Sequence, residues 1–155
     1  MTETMKSEQV ISVSPEQTFQ IGEELGKTLR AGGAVLLHGG LGAGKTLFTK
    51  GILSGLGFDV DEVTSPSFTL VNLYRTATAD VFHIDLWRLE EGRNNAFAVG
   101  LDEIFENERA IAIIEWAERL GDFNFPGSVL EITIEGDGDL PRSITRIQRI
   151  PANKN

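Results

Sequence analysis

The stretch Gly39-Gly40-Leu41-Gly42-Ala43-Gly44-Lys45-Thr46 matches the pattern G-x-x-x-x-G-K-[ST] in full. This spacing suits one chemistry, the cradling of a phosphate chain. Glycines lack Cβ, so the backbone can wrap an anion with its N–H groups turned inward. A helix that starts at the end of the loop presents its positive end to the same anion. Lys45 is placed to reach the β- and γ-phosphates, and the Thr46 hydroxyl to ligate Mg²⁺. Average residue usage puts a chance match in a chain of this length at on the order of one in a few hundred. The alternative is a glycine-rich turn with no ligand. Against it stand the apolar run Ala34-Val35-Leu36-Leu37 just before the loop and a helical pattern through Leu56 just after.

A phosphate loop of this kind needs a carboxylate near the metal, usually at the end of a neighbouring strand. Asp85 follows Val81-Phe82-His83-Ile84, and Glu115 follows Ala110-Ile111-Ala112-Ile113-Ile114. A bare charge at the end of an apolar run is costly to bury unless it is paired or metal-bound. The residues alone leave open which of the two holds Mg²⁺. Trp116, next to Glu115, can stack on a base, cover the site or pack in the core. Thr64, Ser65, Ser67 and Thr69 form a hydroxyl-rich loop that could sense a γ-phosphate. Arg75, Arg88 and Arg93 suit solvated ion pairs better than a catalytic charge. His83 reads as a strand histidine rather than a base, and His38 as a local packing or bonding residue.

These groups need a frame. Ser14-Pro15-Glu16-Gln17 is a helix start, with Ser14 as cap, Pro15 at the first position and Gln17 completing a capping box. Phe19, Ile21, Leu25 and Leu29 stripe that helix, which the pattern ends at Gly32-Gly33. Val10, Ile11 and Val13 mark a short strand before it. Phe68–Tyr74 and Val81–Leu86 read as an antiparallel hairpin. A helical stretch covers about Asn95–Glu106, interrupted at Gly100. Ser128–Glu135 and Arg142–Ile150 alternate as two strands around Gly136-Asp137-Gly138-Asp139. The short apolar runs are those of buried parallel strands. The expectation is one α/β P-loop NTPase domain over residues 1–155, a mixed parallel and antiparallel sheet flanked by helices. Residues 1 to about 8 and 152–155 read as frayed.

The chain has 155 residues, no cysteine and a formal net charge of −9. Thiol chemistry and disulfides are excluded. The acidic balance argues against autonomous nucleic-acid or anionic-membrane binding. No apolar run approaches the roughly 18–20 residues of a membrane helix, and the polar N-terminal residues hold no signal-peptide core. A cytoplasmic protein is expected.

Four motifs occur in order: the loop Gly39–Thr46, Thr64-Ser65-Pro66-Ser67-Phe68-Thr69-Leu70, His83-Ile84-Asp85-Leu86-Trp87-Arg88-Leu89, and Ile114-Glu115-Trp116. In that order and spacing the chain resembles the TsaE (YjeE) family, bacterial ATPases of tRNA threonylcarbamoyladenosine biosynthesis, over nearly its whole length. The resemblance implies that the backbone of Gly39, Gly40, Leu41, Gly42, Ala43 and Gly44, with Lys45 and Thr46, holds the phosphates of ATP. It implies Thr46 and Glu115 as Mg²⁺ ligands and Asp85 as the acid needed for hydrolysis, with Lys45 and Glu115 beside it in catalysis. It implies a switch-like loop at Ser65-Pro66-Ser67, with Ser67 and Trp116 beside the nucleotide, and adenine near the start of the first helix, around Ser14 to Thr18. The implied partners are TsaD and TsaB. The resemblance further implies that TsaC makes threonylcarbamoyl-adenylate and that TsaD transfers its threonylcarbamoyl group to adenosine 37 of tRNAs that read ANN codons. The ATP cycle would reset the TsaD–TsaB complex, and tRNA would be met only through those partners. The chain departs from the family pattern at Gly40 (usually Asp), Leu47 (usually Thr), Ser67 (usually Thr) and Trp87 (usually Tyr).

Other functions share the loop. A small-molecule kinase would need an acceptor pocket and an arginine-bearing lid, and no segment stands out as one. A GTPase would carry Asp-x-x-Gly and Asn-Lys-x-Asp, and neither occurs. A nucleotide-gated binding module without hydrolysis would not need Lys45, Asp85 and Glu115 together.

Overall fold

β2 (Ala34–His38) enters the loop from the middle of a sheet. The computed structural model describes residues 4–40, 42–62, 70–90 and 94–150. In it β2 lies between β5 (Ala110–Glu115) and β6 (Val129–Glu135), parallel to both, and β4 (Asp80–Asp85) runs parallel to β5. All six residues of β5 are buried, as a central strand covered on both faces requires. Antiparallel strands close the flanks: β3 (Val71–Arg75) against β4, and β7 (Arg142–Ile150) against β6 with β1 (Thr4–Ser12) outside it. The seven-stranded order is β1-β7-β6-β2-β5-β4-β3. The expected α/β architecture and mixed sheet are present.

Side-chain alternation divides the core between the two faces. Val35, Leu37, Ile113, Ile132 and Ile144 pack under α1 (Pro15–Gly26) and α2 (Lys45–Gly55). Leu36, Ile84, Ala112 and Ile114 pack with α3 (Asn95–Ala98) and α4 (Leu101–Ile104), and Phe105, Phe123 and Phe125 join them. Glu115 shares a face with Ile113, so its carboxylate falls on the α2 side of the sheet.

α1 and α2 meet through glycines. A methyl group on Gly22 would lie 2.5 Å from the Phe48 carbonyl oxygen. One on Gly26, Gly51 or Gly55 would strike the carbonyl of Ile52, Phe19 or Glu23. Backbone therefore lies against backbone along Gly22-x-x-x-Gly26 and Gly51-x-x-x-Gly55, a spacing the apolar-stripe reading of α1 passed over.

Three elements differ from the sequence expectation. β1 starts at Thr4, inside the segment read as frayed, because it pairs with β7 from Thr4↔Ile150 to Ser12↔Arg142. α1 stops at Gly26 rather than near Gly32, because the Thr28 amide and hydroxyl both turn back to the Leu25 carbonyl. β3 starts at Val71 rather than Phe68, and residues 63–69 lie outside the described residues. At the α1 start, Ser14 Oγ accepts from the Gln17 amide at 3.1 Å, but the Gln17 side chain accepts from Val13 N–H, one residue earlier than in a capping box. Among the described residues no helix is long and apolar enough to cross a membrane.

Candidate nucleotide-binding site

The loop from β2 to α2 has the backbone that its glycines predict. Gly39, Gly42 and Gly44 hold φ of +149°, +77° and +109°, conformations that L side chains rarely adopt. Gly44 caps α2 without a side chain, leaving the first amides of α2 for another acceptor. A Cβ on Gly39 would meet the Ile134 carbonyl at 2.6 Å, so β6 presses on the loop entrance. Gly40 has an ordinary φ and open space around it. Leu41 and Ser67 lie outside the described residues.

Lys45 is buried at the head of α2, while Thr46 beside it is exposed. Lys45 Nζ donates to the carbonyls of Gly39 at 2.6 Å and Gly40 at 2.8 Å, and it lies 4.1 Å from the centre of the Trp116 ring. Burial lowers its pKa, and the charges of Glu115, Glu118 and Asp85 act against that shift. Trp116 reaches this position through a left-handed backbone, φ 58° and ψ 43°. For a bulky residue such a conformation costs on the order of 1–3 kcal/mol. It turns the chain out of β5 so that the indole covers the ammonium. The Trp87 ring lies against Trp116 at 4.5 Å, tilted by 42°, and Arg119 lies over both rings while donating to the Trp87 and Leu89 carbonyls.

The two strand-end acids are brought together. Asp85 and Glu115 are register partners at the ends of β4 and β5. Asp85 accepts from the Trp87 amide at 2.9 Å, and burial raises its pKa. Glu115 is buried, and its Oε2 lies 2.5 Å from His83 Nε2. His83 is the strand histidine expected, but its contact with Glu115 was not foreseen. Its sign in the sequence is the two-residue spacing from Asp85, which puts both on one face of β4. His38 lies between two carboxylates distant in sequence, Glu118 at 3.5 Å and Glu131 at 3.2 Å, rather than bonding to its chain neighbours. Arg75 and Arg88 are exposed, and Arg93 lies outside the described residues.

Arg142 was missed entirely. From β7 its guanidinium donates to Ala43 O at 3.0 Å and Gly42 O at 3.2 Å, and also to Gly138 O and Leu140 O. It ties the C-terminal hairpin to the outer side of the loop. Nothing near Arg142 in the sequence signals this; the pairing of β7 with β6 and with β1, which ends at Ser12↔Arg142, brings it there. Between that hairpin and the α1 start is a cleft of about 280 Å³, lined by Ser14, Thr18, Gly44, Leu47, Leu140 and Arg142 among others.

The strand–loop–helix unit, with acids ending the next two parallel strands, makes this a protein of the P-loop NTPase fold. The family model for the threonylcarbamoyl adenosine biosynthesis protein TsaE matches residues 12–144. A tRNA threonylcarbamoyladenosine biosynthesis protein TsaE of Bacillus subtilis is 36% identical over 134 residues, covering 86% of this chain and 81% of that protein. Its namesake in Treponema pallidum is 35% identical over 135 residues, covering 87% of this chain and 96% of that one. The crystal structure of Bacillus subtilis YdiB superposes with a TM-score of 0.71 at 32% identity, covering 94% of this chain and 88% of that one. The chain belongs to the TsaE family, the family of tRNA threonylcarbamoyladenosine biosynthesis.

Proposed function

We propose that this chain is a cytoplasmic Mg²⁺-dependent ATPase, slow alone, whose cycle serves a TsaD–TsaB complex in forming the threonylcarbamoyl group on adenosine 37 of tRNA. The observation that carries the reading is the convergence of Lys45, Asp85 and Glu115: two carboxylates on adjacent strand ends, both acting electrostatically on the loop lysine.

The donor set fits a nucleotide with its metal. The glycine loop and the first α2 amides offer N–H groups to the phosphates. Lys45 exchanges its two carbonyl acceptors for β- and γ-phosphate oxygens, a stronger, charge-assisted pairing. Thr46 and Glu115 supply a hydroxyl and a carboxylate, the hard oxygen donors that Mg²⁺ prefers. Bound there, Mg²⁺ would offset the charge that develops on the phosphate oxygens. Asp85 orients the attacking water, and Trp116 shields the Lys45 ammonium from solvent. The cleft beside Ser14 and Thr18 suits the base and ribose, with Leu47 and Leu140 as apolar walls. The net charge of −9 fits a protein that leaves tRNA contact to its partners.

ATP turnover by the purified chain, alone and with TsaD–TsaB, tests the reading, with Lys45→Ala and Glu115→Ala as controls. A slow rate that rises with the partners and is lost in both variants supports it. Tight binding without turnover in either condition refutes hydrolysis and leaves a nucleotide-gated binding module.

A further inference from the structure

We propose that His83 is a positioning residue that holds Glu115 in the orientation in which it meets the metal; this rests on the reading of Glu115 as a Mg²⁺ ligand. His83 is 0% exposed and Glu115 3%. Its Nε2 lies 2.5 Å from Glu115 Oε2. His83 and Asp85 lie on one face of β4, and β5 sets Glu115 level with Asp85, so the imidazole sits one pleat below the carboxylate pair.

The other ring nitrogen carries the argument. Among the described residues, His83 Nδ1 is buried and has no hydrogen-bond partner. A buried polar atom left unpaired costs about 1–3 kcal/mol. For packing alone, Leu or Phe would fill this place against Tyr74 without that cost. The position therefore makes sense as histidine through the bond from Nε2 to the carboxylate. With Nε2–H donating to Oε2, the Glu115 side chain is confined to one rotamer and Oε1 is left for another partner. A ligating carboxylate fixed in this way binds its metal more tightly, and losing such support commonly costs 10–100-fold in metal affinity.

The experiment is a MgCl₂ titration of ATP binding to the full-length chain, with binding in EDTA measured alongside. The variants are His83→Leu, His83→Asn, His83→Gln and Glu115→Gln, and His83→Leu combined with Glu115→Gln. His83→Leu is expected to raise the half-saturating Mg²⁺ at least tenfold while ATP affinity in EDTA stays within about twofold. Gln keeps an N–H near the Nε2 position and is expected to restore most of the metal response. Asn, whose N–H falls short, is expected to behave like Leu. In the Glu115→Gln background, His83→Leu is expected to change nothing further. The proposal is overturned by a wild-type Mg²⁺ response in His83→Leu, by an equal loss of binding in EDTA, or by Gln failing where Leu fails. Should His83→Leu not fold, Asn against Gln decides on the same criteria. A Mg²⁺ response unaltered by Glu115→Gln alone refutes the ligand assignment itself; an altered one with an inert His83 refutes only the positioning role.

Discussion

Gly51→Ala tests how the phosphate loop is held in place. The added Cβ would collide with Phe19 O and lie 3.0 Å from Glu23 N and 3.1 Å from Gly22 Cα. All three are backbone atoms of α1, so no side chain can rotate away. Restoring ordinary contact, about 3.5 Å or more, requires the two helices to part by about 1 Å. That gap loosens Leu25, Phe48 and Ile52, which are at most 3% exposed. Overpacking costs about 1–3 kcal/mol, and an unyielding backbone belongs at the top of that range. Alanine returns about 1 kcal/mol through helix propensity. The net loss is about 2 kcal/mol, which lowers the melting temperature by about 4–8 °C in a chain of this size. Because α2 begins with Lys45 and Thr46, ATP affinity should fall as well. Thermal unfolding followed by circular dichroism measures the first effect and calorimetric ATP binding the second. Gly40→Ala, at a glycine with open space around it, is the control. If Gly51→Ala melts within about 1 °C of the parent, backbone contact between α1 and α2 does not hold the loop.

Arg142→Leu removes the donors to Ala43 O and Gly42 O; ATP affinity should drop about tenfold, or 1.4 kcal/mol, and a change under twofold would exclude Arg142 as a brace of the loop. Asp85→Asn keeps the acceptor for the Trp87 amide but removes the carboxylate whose pKa burial raises. A raised pKa means that the folded state holds this proton more tightly than the unfolded state, so the ionised group costs stability above the folded pKa and that cost fades as pH falls through it. The variant should therefore melt higher than the parent at pH 8, lose the advantage on acidification and lose hydrolysis; a lower melting point at pH 8 would contradict the burial argument. Gly40→Asp restores the usual family residue at a site where a Cβ meets nothing within 4 Å; stability should stay within about 0.5 kcal/mol in a melting experiment, and a larger loss would show that the loop needs glycine there.

The sequence determined local things. A glycine pattern between an apolar run and a helical run can fold only as strand, tight loop and helix, because positive φ and amphipathic period are properties of neighbouring residues. For the same reason Ala110–Ile114 was recognisable as a buried strand, and Asp85 and Glu115 as strand-end acids. Where neighbours misled, distant partners had decided. Thr4–Glu8 looks too polar to be ordered, but β7 supplies hydrogen bonds along its whole length. Strand order was equally out of reach: it places Glu115 next to the loop strand and Asp85 one strand further, and no local pattern encodes which strands pair. His83 as the partner of Glu115 and Arg142 as a brace on Gly42 and Ala43 depend on register across strands that are far apart in sequence. The packing of Gly22 and Gly26 on Gly51 and Gly55 was written in the spacing, but only the helix crossing shows that these glycines exist for close approach rather than for flexibility. Residue types and short-range geometry thus set which chemistry the chain can attempt, and long-range pairing decides which side chains meet to perform it.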